Sequence, residues 1–351
     1  MRWAQGYIAL LLLVALLSPF IAGDRPVVIG GEALEVIIYP LIPFKSGNTA
    51  LKDRRYAPPL TYASDGQLHL LGTDRLGRDV AAGLVAGTRV AVVVGLGSVA
   101  LALLIGLPLG AVAGFFGNDG LRATPELVFS VLTGVLVSSA YVMASLRWVM
   151  GGLSLAVSWS CLAIVLAILC WLASRLLGRR RGRRWKRWVE LPLDRVVLFL
   201  IEGWSSVPGL IILVAIIALV PRPSLGLIVT IIGLLAWPSI ARFLRAELLR
   251  IRELTYISAA RITGVGEWRL LWRHALPNAV SPLIVVTAFL VGSSILAEAT
   301  LSFLGLGLSA DQVTWGSLLQ QSRSRPEAWW LAVFPGLLLT LTVLACNRLR
   351  R

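Results

Sequence analysis

The feature that most constrains this chain is a series of apolar runs, each long enough to cross a bilayer. They lie near residues 88–115, 127–150, 153–177, 195–220, 224–243, 279–305 and 328–347. A helix needs about 20 such residues to span a hydrocarbon core of roughly 30 Å. Inside lipid every backbone N–H and C=O must be paired within the protein. Helices do this locally, and no alternating strand pattern competes with them here. Composition agrees: 57% of residues are hydrophobic and 15% charged, against about half and a quarter in soluble domains. The expected fold class is an all-α polytopic membrane protein.

An eighth apolar run, 7–22, follows Arg2. Ala22-Gly23 offers a small-residue cleavage site, so a signal peptide is one reading. A first transmembrane helix within 1–23 is the reading that the many following spans favour. Residues 24–86 carry Pro40, Pro43, Pro58 and Pro59 with mixed charges, which reads as an extracytoplasmic segment with little regular structure.

The net charge is +15, almost all of it arginine. In a soluble protein that balance points to nucleic acid. Here the charges sit between apolar runs, so they read as orientation signals and imply no nucleic acid. The basic blocks are 179–187, the connector bearing Arg242, Arg245, Arg250, Arg252, Arg261, Arg269 and Arg273, and the end at Arg348, Arg350 and Arg351. With a cytoplasmic N-terminus and eight spans, all three blocks and the C-terminus fall inside. The connectors 221–223 and 306–327 then fall outside.

The connector 245–277 is too polar to cross a membrane, yet it is patterned. Residues 253–262 read as a short amphipathic helix. Gly264 and Gly266 permit positive φ and a reversal. Residues 267–274 read as a second helix with Glu267 in its first turn, where the dipole favours an acid, closed by Leu276-Pro277. Ala259 and Ala260 allow close approach of a partner, with Trp268, Leu270 and Leu271 as apolar anchors. On pattern alone, docking to a partner groove and lying in the headgroup layer are equally good readings.

The run Ser258-Ala259-Ala260-x3-Gly264-x9-His274-x-Leu276-Pro277 resembles the cytoplasmic loop of ABC-importer permeases, which reads E-A-A-x3-G-x9-I-x-L-P. Ser258 stands where that family has Glu, and His274 where it has Ile. Arg273-His274-x-Leu276-Pro277-Asn278 is similar to the dipeptide, oligopeptide and nickel importer version. Gly72-Thr73-Asp74-Arg75-Leu76-Gly77-Arg78-Asp79 resembles the GTDxxGRD signature of the C-type subunit. Further matches follow in family order: Gly106-x-Pro108-Leu109-Gly110, the run from Ile295 through Gly307, Trp315-Gly316, Ala328-Trp329-Trp330 and Phe334-Pro335-Gly336.

The resemblance implies a type I permease core of about six helices, in a domain over 87–347. It implies that the 245–277 loop couples to two cytoplasmic ABC ATPase subunits. It also implies a second permease subunit making a heterodimer, an extracytoplasmic solute-binding protein, and a substrate that is a peptide or similar small polar solute; the topology then places 72–79 and 306–327 toward that binding protein. The chain departs from the family at about 119–190, where two spans and the arginine block are inserted. Two crossings preserve parity. Such an insertion is either a peripheral lipid-facing hairpin or a docking surface for an accessory protein or anionic lipid.

Glu298 lies in an apolar span, and Glu202 with Ser205 and Ser206 in another. An ionisable group there faces protein or a watery path, so Glu298 reads equally as a pathway or subunit contact and as a structural hydrogen bond. Pro208, Pro238 and Pro335 suggest kinks. Cys161, Cys170 and Cys346 show no metal-ligand spacing. No lysine follows a glycine, so no phosphate-binding loop is present, and His69 and His274 assemble neither a zinc site nor a catalytic triad. No cofactor is expected, and ATP hydrolysis is assigned to other subunits. Two readings of other classes stay open: an ATP-independent carrier with a proton site at Glu298, and a scaffold that transports nothing. The identity of the solute lies beyond the sequence.

Overall fold

The computed structural model describes residues 2–23, 27–29, 36–38, 40–44, 55–63, 66–118, 122–123, 189–309 and 312–348. The expected spans at 127–150 and 153–177 and the basic block at 179–187 lie outside the described residues. The chain divides into two compact units, one of Met1–Gly114 with Val197–Arg351 and one of Phe115–Val196.

In the first unit, α1 (Arg2–Leu16) and the one-turn α2 (Ser18–Ile21) meet at Leu17, just before Pro19. The Tyr7 hydroxyl donates to the Leu338 carbonyl at 3.2 Å and lies 3.1 Å from the Thr342 hydroxyl, so α1 packs on the last helix. Two small antiparallel hairpins follow, β1 (Val27–Ile29) with β2 (Val36–Ile38), and β3 (Thr61–Tyr62) with β4 (Leu68–His69).

α3 (Val80–Phe116) begins eight residues before the expected start of its span. Asp79 explains the difference, because its Oδ1 accepts the Ala82 N–H at 2.8 Å and caps the first turn. α4 (Leu193–Ser205) and α5 (Gly209–Ala218) correspond to the expected span at 195–220, but they are bent by 64°. Pro208 lacks an N–H and cannot continue the ladder, and the last turn before it is closed in part by the Ser206 hydroxyl, which donates to the Gly203 carbonyl at 2.7 Å.

α6 (Leu225–Arg252) overruns its expected end at 243 by nine residues. Leu244, Leu248 and Ile251 keep one buried apolar face beyond the membrane-length part, so the helix has no reason to stop. α7 (Thr255–Ile262) and the short α8 (Glu267–Leu270) follow. Leu271–Ala275 then form a π-turn that runs into α9 (Leu276–Phe303). α10 (Trp315–Ser324) and α11 (Trp330–Arg348) complete the unit. Pro238 and Pro335 lie inside helices that run on through them.

Four of these segments are long and apolar enough to cross a membrane among the described residues: Val80–Phe116, Leu225–Arg252, Glu267–Phe303 and Trp330–Arg348. The bent α4–α5 pair makes a fifth. The protein is therefore an all-α membrane protein in its described part, with the eight-span count resting also on segments outside it.

What binds α3 to α6 is a ladder of small residues. A Cβ placed on Gly106 would sit 2.7 Å from the Trp237 carbonyl oxygen, on Gly110 2.7 Å from that of Ala241, and on Gly114 2.6 Å from that of Arg245. The spacing of four on both helices lets the backbones approach, which is the main source of association between helices already in lipid. Gly110→Leu is therefore expected to push the pair apart. Gly110→Ala should lose about 1–3 kcal/mol and the leucine variant should fail to accumulate as a monodisperse species. Detergent-solubilised yield and thermal unfolding measure both.

α10 wedges between the end of α9 and the start of α3. The Trp315 indole N–H donates to the Leu84 carbonyl at 3.0 Å, and Trp315, Val313 and Leu318 share a buried cluster with Val80, Leu84 and Ala299.

In the second unit, β5 (Arg122–Ala123) pairs antiparallel with β6 (Val189–Glu190). The Asp194 N–H donates to the Gly117 carbonyl at 3.3 Å and the Arg195 N–H to Asn118 Oδ1 at 3.3 Å. The chain thus leaves and returns at neighbouring points around the residues expected to be an insertion.

Candidate functional site

Three places hold the residues singled out by sequence. The first is the connector between α6 and α9. Arg250 and Arg252 lie in the last turn of α6, where cations complement the dipole. α7 ends in a glycine turn: the Gly264 N–H donates to the Arg261 carbonyl at 3.1 Å and the Val265 N–H to that of Ala260 at 3.2 Å, with Gly264 at φ +83°. That bond pair is a Schellman closure, and it needs a residue at ease in the left-handed region. Gly266 differs from expectation. It has φ −63° and extended ψ, and serves as the N-cap of α8.

Across this turn Arg261 grips Glu267 with both arms, Nε to Oε1 at 2.6 Å and Nη2 to Oε2 at 3.1 Å. Donating these hydrogen bonds to the Glu267 carboxylate holds the guanidinium above its ordinary pKa range. Both partners are half exposed, so the pair adds only about 0.2–1 kcal/mol; its effect is to set the angle between α7 and α8.

The exposure of the loop sorts its residues. Ile257 is wholly buried and anchors α7 to the body. Ser258, Ala259 and Gly264 face outward, Ala260 is half-buried, and Ile262 is 88% exposed beside the glycine turn. Trp268 is exposed, whereas Leu270 and Leu271 are buried within this chain and correct the expectation that they are anchors for a partner.

The expected closure at Leu276-Pro277 is also corrected. The Leu276 N–H donates to the Leu271 carbonyl, a five-residue step, and this wider turn accommodates Pro277 without ending the helix. Leu276 is buried, His274 half-buried and Pro277 exposed. Asn278 Nδ2 donates to the His274 carbonyl at 2.7 Å and to the Tyr256 hydroxyl at 3.1 Å, tying α7 to the root of α9. Sequence read Arg261 only as an orientation charge, and Tyr256 and Ile262 were not singled out. Only the opposite charges of Arg261 and Glu267, bracketing two glycines, signalled any of this.

The second place is the 72–79 block. Asp74 Oδ1 accepts the Leu76 and Arg78 N–H groups at 2.7 and 2.9 Å, and Oδ2 accepts Arg78 Nε at 2.9 Å and Nη2 at 2.8 Å. Asp79 Oδ2 lies 2.9 Å from His69 Nδ1 while its Oδ1 caps α3. The Thr73 hydroxyl accepts the Ala57 N–H at 2.7 Å, and its carbonyl accepts the Trp330 indole N–H at 3.2 Å. Gly72 and Gly77 both take positive φ, and a Cβ on Gly72 would collide with the Ala57 carbonyl. Thr73, Asp74, Arg78 and Asp79 are all buried. The block is a knot that seats the start of α3 against α11, and of its side chains Arg75 is exposed to solvent.

The third place is Glu298, buried in α9 and accepting the Ser302 hydroxyl at 2.7 Å. Its burial within this chain favours the structural reading of the residue. Glu202 is exposed near the α4–α5 break. A cleft of about 280 Å³ lies beyond that break, lined by Gly209, Leu213, Ala236, Ser239, Ser293 and Ser294 among others. Among the described residues no group of three His, Cys, Asp or Glu is placed to hold a metal.

Comparison with known proteins adds to this geometry. The family described as binding-protein-dependent transport system inner membrane component matches residues 172–351, half of the chain. The chain is 36% identical to a putative peptide transport system permease protein of Brucella suis over 155 residues, 44% of this chain and 52% of that protein. It thus spans about half the length of that relative. It is 27% identical to a glutathione transport system permease protein of Pectobacterium atrosepticum over 310 residues, 88% of this chain and 76% of the relative. With a di/tripeptide transport system permease protein of Pseudomonas aeruginosa it shares 29% identity over 298 residues, 84% and 74%.

Proposed function

Because the chain belongs to the family of binding-protein-dependent transport system inner membrane components, we propose that it is one membrane subunit of an ATP-driven importer for peptides or similar small polar solutes. It pairs with a second permease subunit to enclose the path. Two ATPase subunits grip the α7–Gly264–α8 loop from the cytoplasm, and a solute-binding protein delivers cargo at the opposite face. The N- and C-termini are cytoplasmic, following the arginine blocks. The chain performs no hydrolysis itself. The domain over 87–347 carries transport, and the 119–190 insertion is a peripheral hairpin.

One observation carries this reading. The loop presents Ser258, Ala259, Gly264 and Ile262 outward while Ile257, Leu270 and Leu271 bury its other side. That is a knob of small residues and one isoleucine flanked by charges, and it is continuous with the 37-residue segment Glu267–Phe303. A knob that only lay in headgroups would not need the bidentate Arg261–Glu267 bracket.

Reconstitution of the full complex in proteoliposomes tests the reading. Uptake of a tripeptide is expected to require ATP on the loop side and to survive a protonophore. Uptake that ignores ATP and collapses with the proton gradient would instead make the chain a secondary carrier. Deleting 119–190 should leave uptake within about twofold of wild type, as a lipid-facing hairpin predicts.

A further inference from the structure

We propose that the face at the far end of α9 from the coupling loop is a basic docking surface, built from Arg55, Arg75, Arg323 and Arg325, that selects an acidic surface on the solute-binding protein. The inference rests on the importer reading and adds the chemistry by which the partner is recognised.

Four segments distant in sequence converge there. The Tyr56 N–H donates to the Asp74 carbonyl at 3.1 Å, and the Arg75 N–H to Gln321 Oε1 at 3.0 Å. The Arg325 guanidinium lies 5.2 Å from the Tyr56 ring centre, and that of Arg323 lies 5.2 Å from the Phe303 ring centre. All four arginines are exposed. Among the described residues of 55–79 and 304–330 the exposed acid is Glu327, since Asp74 and Asp79 are buried in the knot. Among the described residues the face therefore carries an excess of positive charge, four arginines against Glu327. Stacking on a ring restrains a guanidinium without neutralising it.

This excess stands on the wrong side for orientation. Basic residues near spans collect on the cytoplasmic side, and the coupling loop with its own arginines occupies that side in the importer reading. α9 is 28 residues long, so its far end lies about 42 Å away, on the opposite side of the membrane. Topology accordingly gives no reason for four arginines here. Recognition does. In the same segments Tyr62 and Trp329 are 72% and 52% exposed, and tyrosine, tryptophan and arginine are the residues enriched at energetically dominant contact sites. A surface of this sign draws an acidic partner in from a distance and fixes its register on arrival.

The test uses the assembled complex in phosphatidylcholine nanodiscs and a fluorescently labelled solute-binding protein of the same system. Wild-type docking should weaken about tenfold between roughly 50 and 500 mM NaCl, as screening shortens the reach of the arginines. The triple variant R75E/R323E/R325E should dock about 100-fold more weakly at low salt and lose most of its salt dependence. R75K/R323K/R325K should stay within a few-fold of wild type, and both variants should assemble and hydrolyse ATP at the basal rate. Unchanged docking by the glutamate variant overturns the proposal. So does an equal loss in the lysine variant, which would make the effect one of packing rather than charge. A change confined to retention on phosphatidylglycerol vesicles would hand the face to lipid and overturn it as well. If the wild-type complex hydrolyses ATP yet docks no binding protein at any salt, the importer reading itself fails, and that outcome is distinct from the other three.

Discussion

Asp74→Ala is expected to lower the stability of the protein by about 3–5 kcal/mol, because it removes a buried carboxylate that is paired with the buried Arg78 guanidinium and that accepts two backbone N–H groups. Asp74 meets four donors, two from the backbone and two from Arg78, and both side chains are nearly inaccessible. A lost surface pair would be worth a fraction of this. Asp74→Asn should fall between, since an amide oxygen keeps the backbone N–H groups but not the guanidinium. The double variant Asp74→Leu/Arg78→Met should recover part of the loss by removing the buried cation along with its carboxylate. Thermal unfolding of the detergent-solubilised complex reads all three. If Asp74→Ala melts like the wild type, the knot does not seat α3 as described.

Gly264→Val is expected to reduce ATP-driven uptake at least tenfold while leaving expression and membrane insertion intact. No heavy atom lies within 4 Å of a Cβ at this position, so valine meets no clash. The penalty comes from φ +83°, which costs a residue with a branched Cβ roughly 1–2 kcal/mol. The turn escapes that strain by opening, and opening breaks the Schellman closure and the angle that the Arg261–Glu267 pair sets. Gly264→Asn should keep most of the uptake, because asparagine tolerates the left-handed region. Measuring uptake and ATP hydrolysis together separates coupling from catalysis: hydrolysis should persist while transport falls. Wild-type uptake by the valine variant would mean that the geometry of this turn does not transmit force.

Much of the helical order was legible because charge-free runs announce membrane helices without help from context. The boundaries were less legible, for local reasons. Asp79 reads as one letter of a signature, and only its bond to the Ala82 N–H reveals that it starts α3. Leu244, Leu248 and Ile251 extend α6 through a packing face that becomes visible once its neighbours are in place. Pro277 does fall in the first turn of α9, but the five-residue turn before it joins α8 to α9 without the break that Leu276-Pro277 suggested. At the candidate site, the positive φ of Gly264 followed from its place after an amphipathic run, while the same argument failed at Gly266, which the chain uses as a cap. Leu270 and Leu271 were misread as partner anchors since an apolar residue in a short helix looks alike whether its partner is its own chain or another. The burial of Asp74 and Arg78 was beyond sequence, because two opposite charges four residues apart usually mark a solvated surface.

The unbroken passage from Glu267 to Phe303 has a mechanical consequence. Its 37 residues make a continuous helical segment about 55 Å long, with a widened turn and Pro282 both near the same end. Tilting such a lever by about 5° displaces its tip by roughly 5 Å. The tip is wedged under α10, whose Trp315 is hydrogen-bonded to α3. A small stroke delivered at Ile262 and Glu267 would thus arrive at the other side of the bilayer as a movement large enough to open or shut a gate, carried by one uninterrupted run of helix.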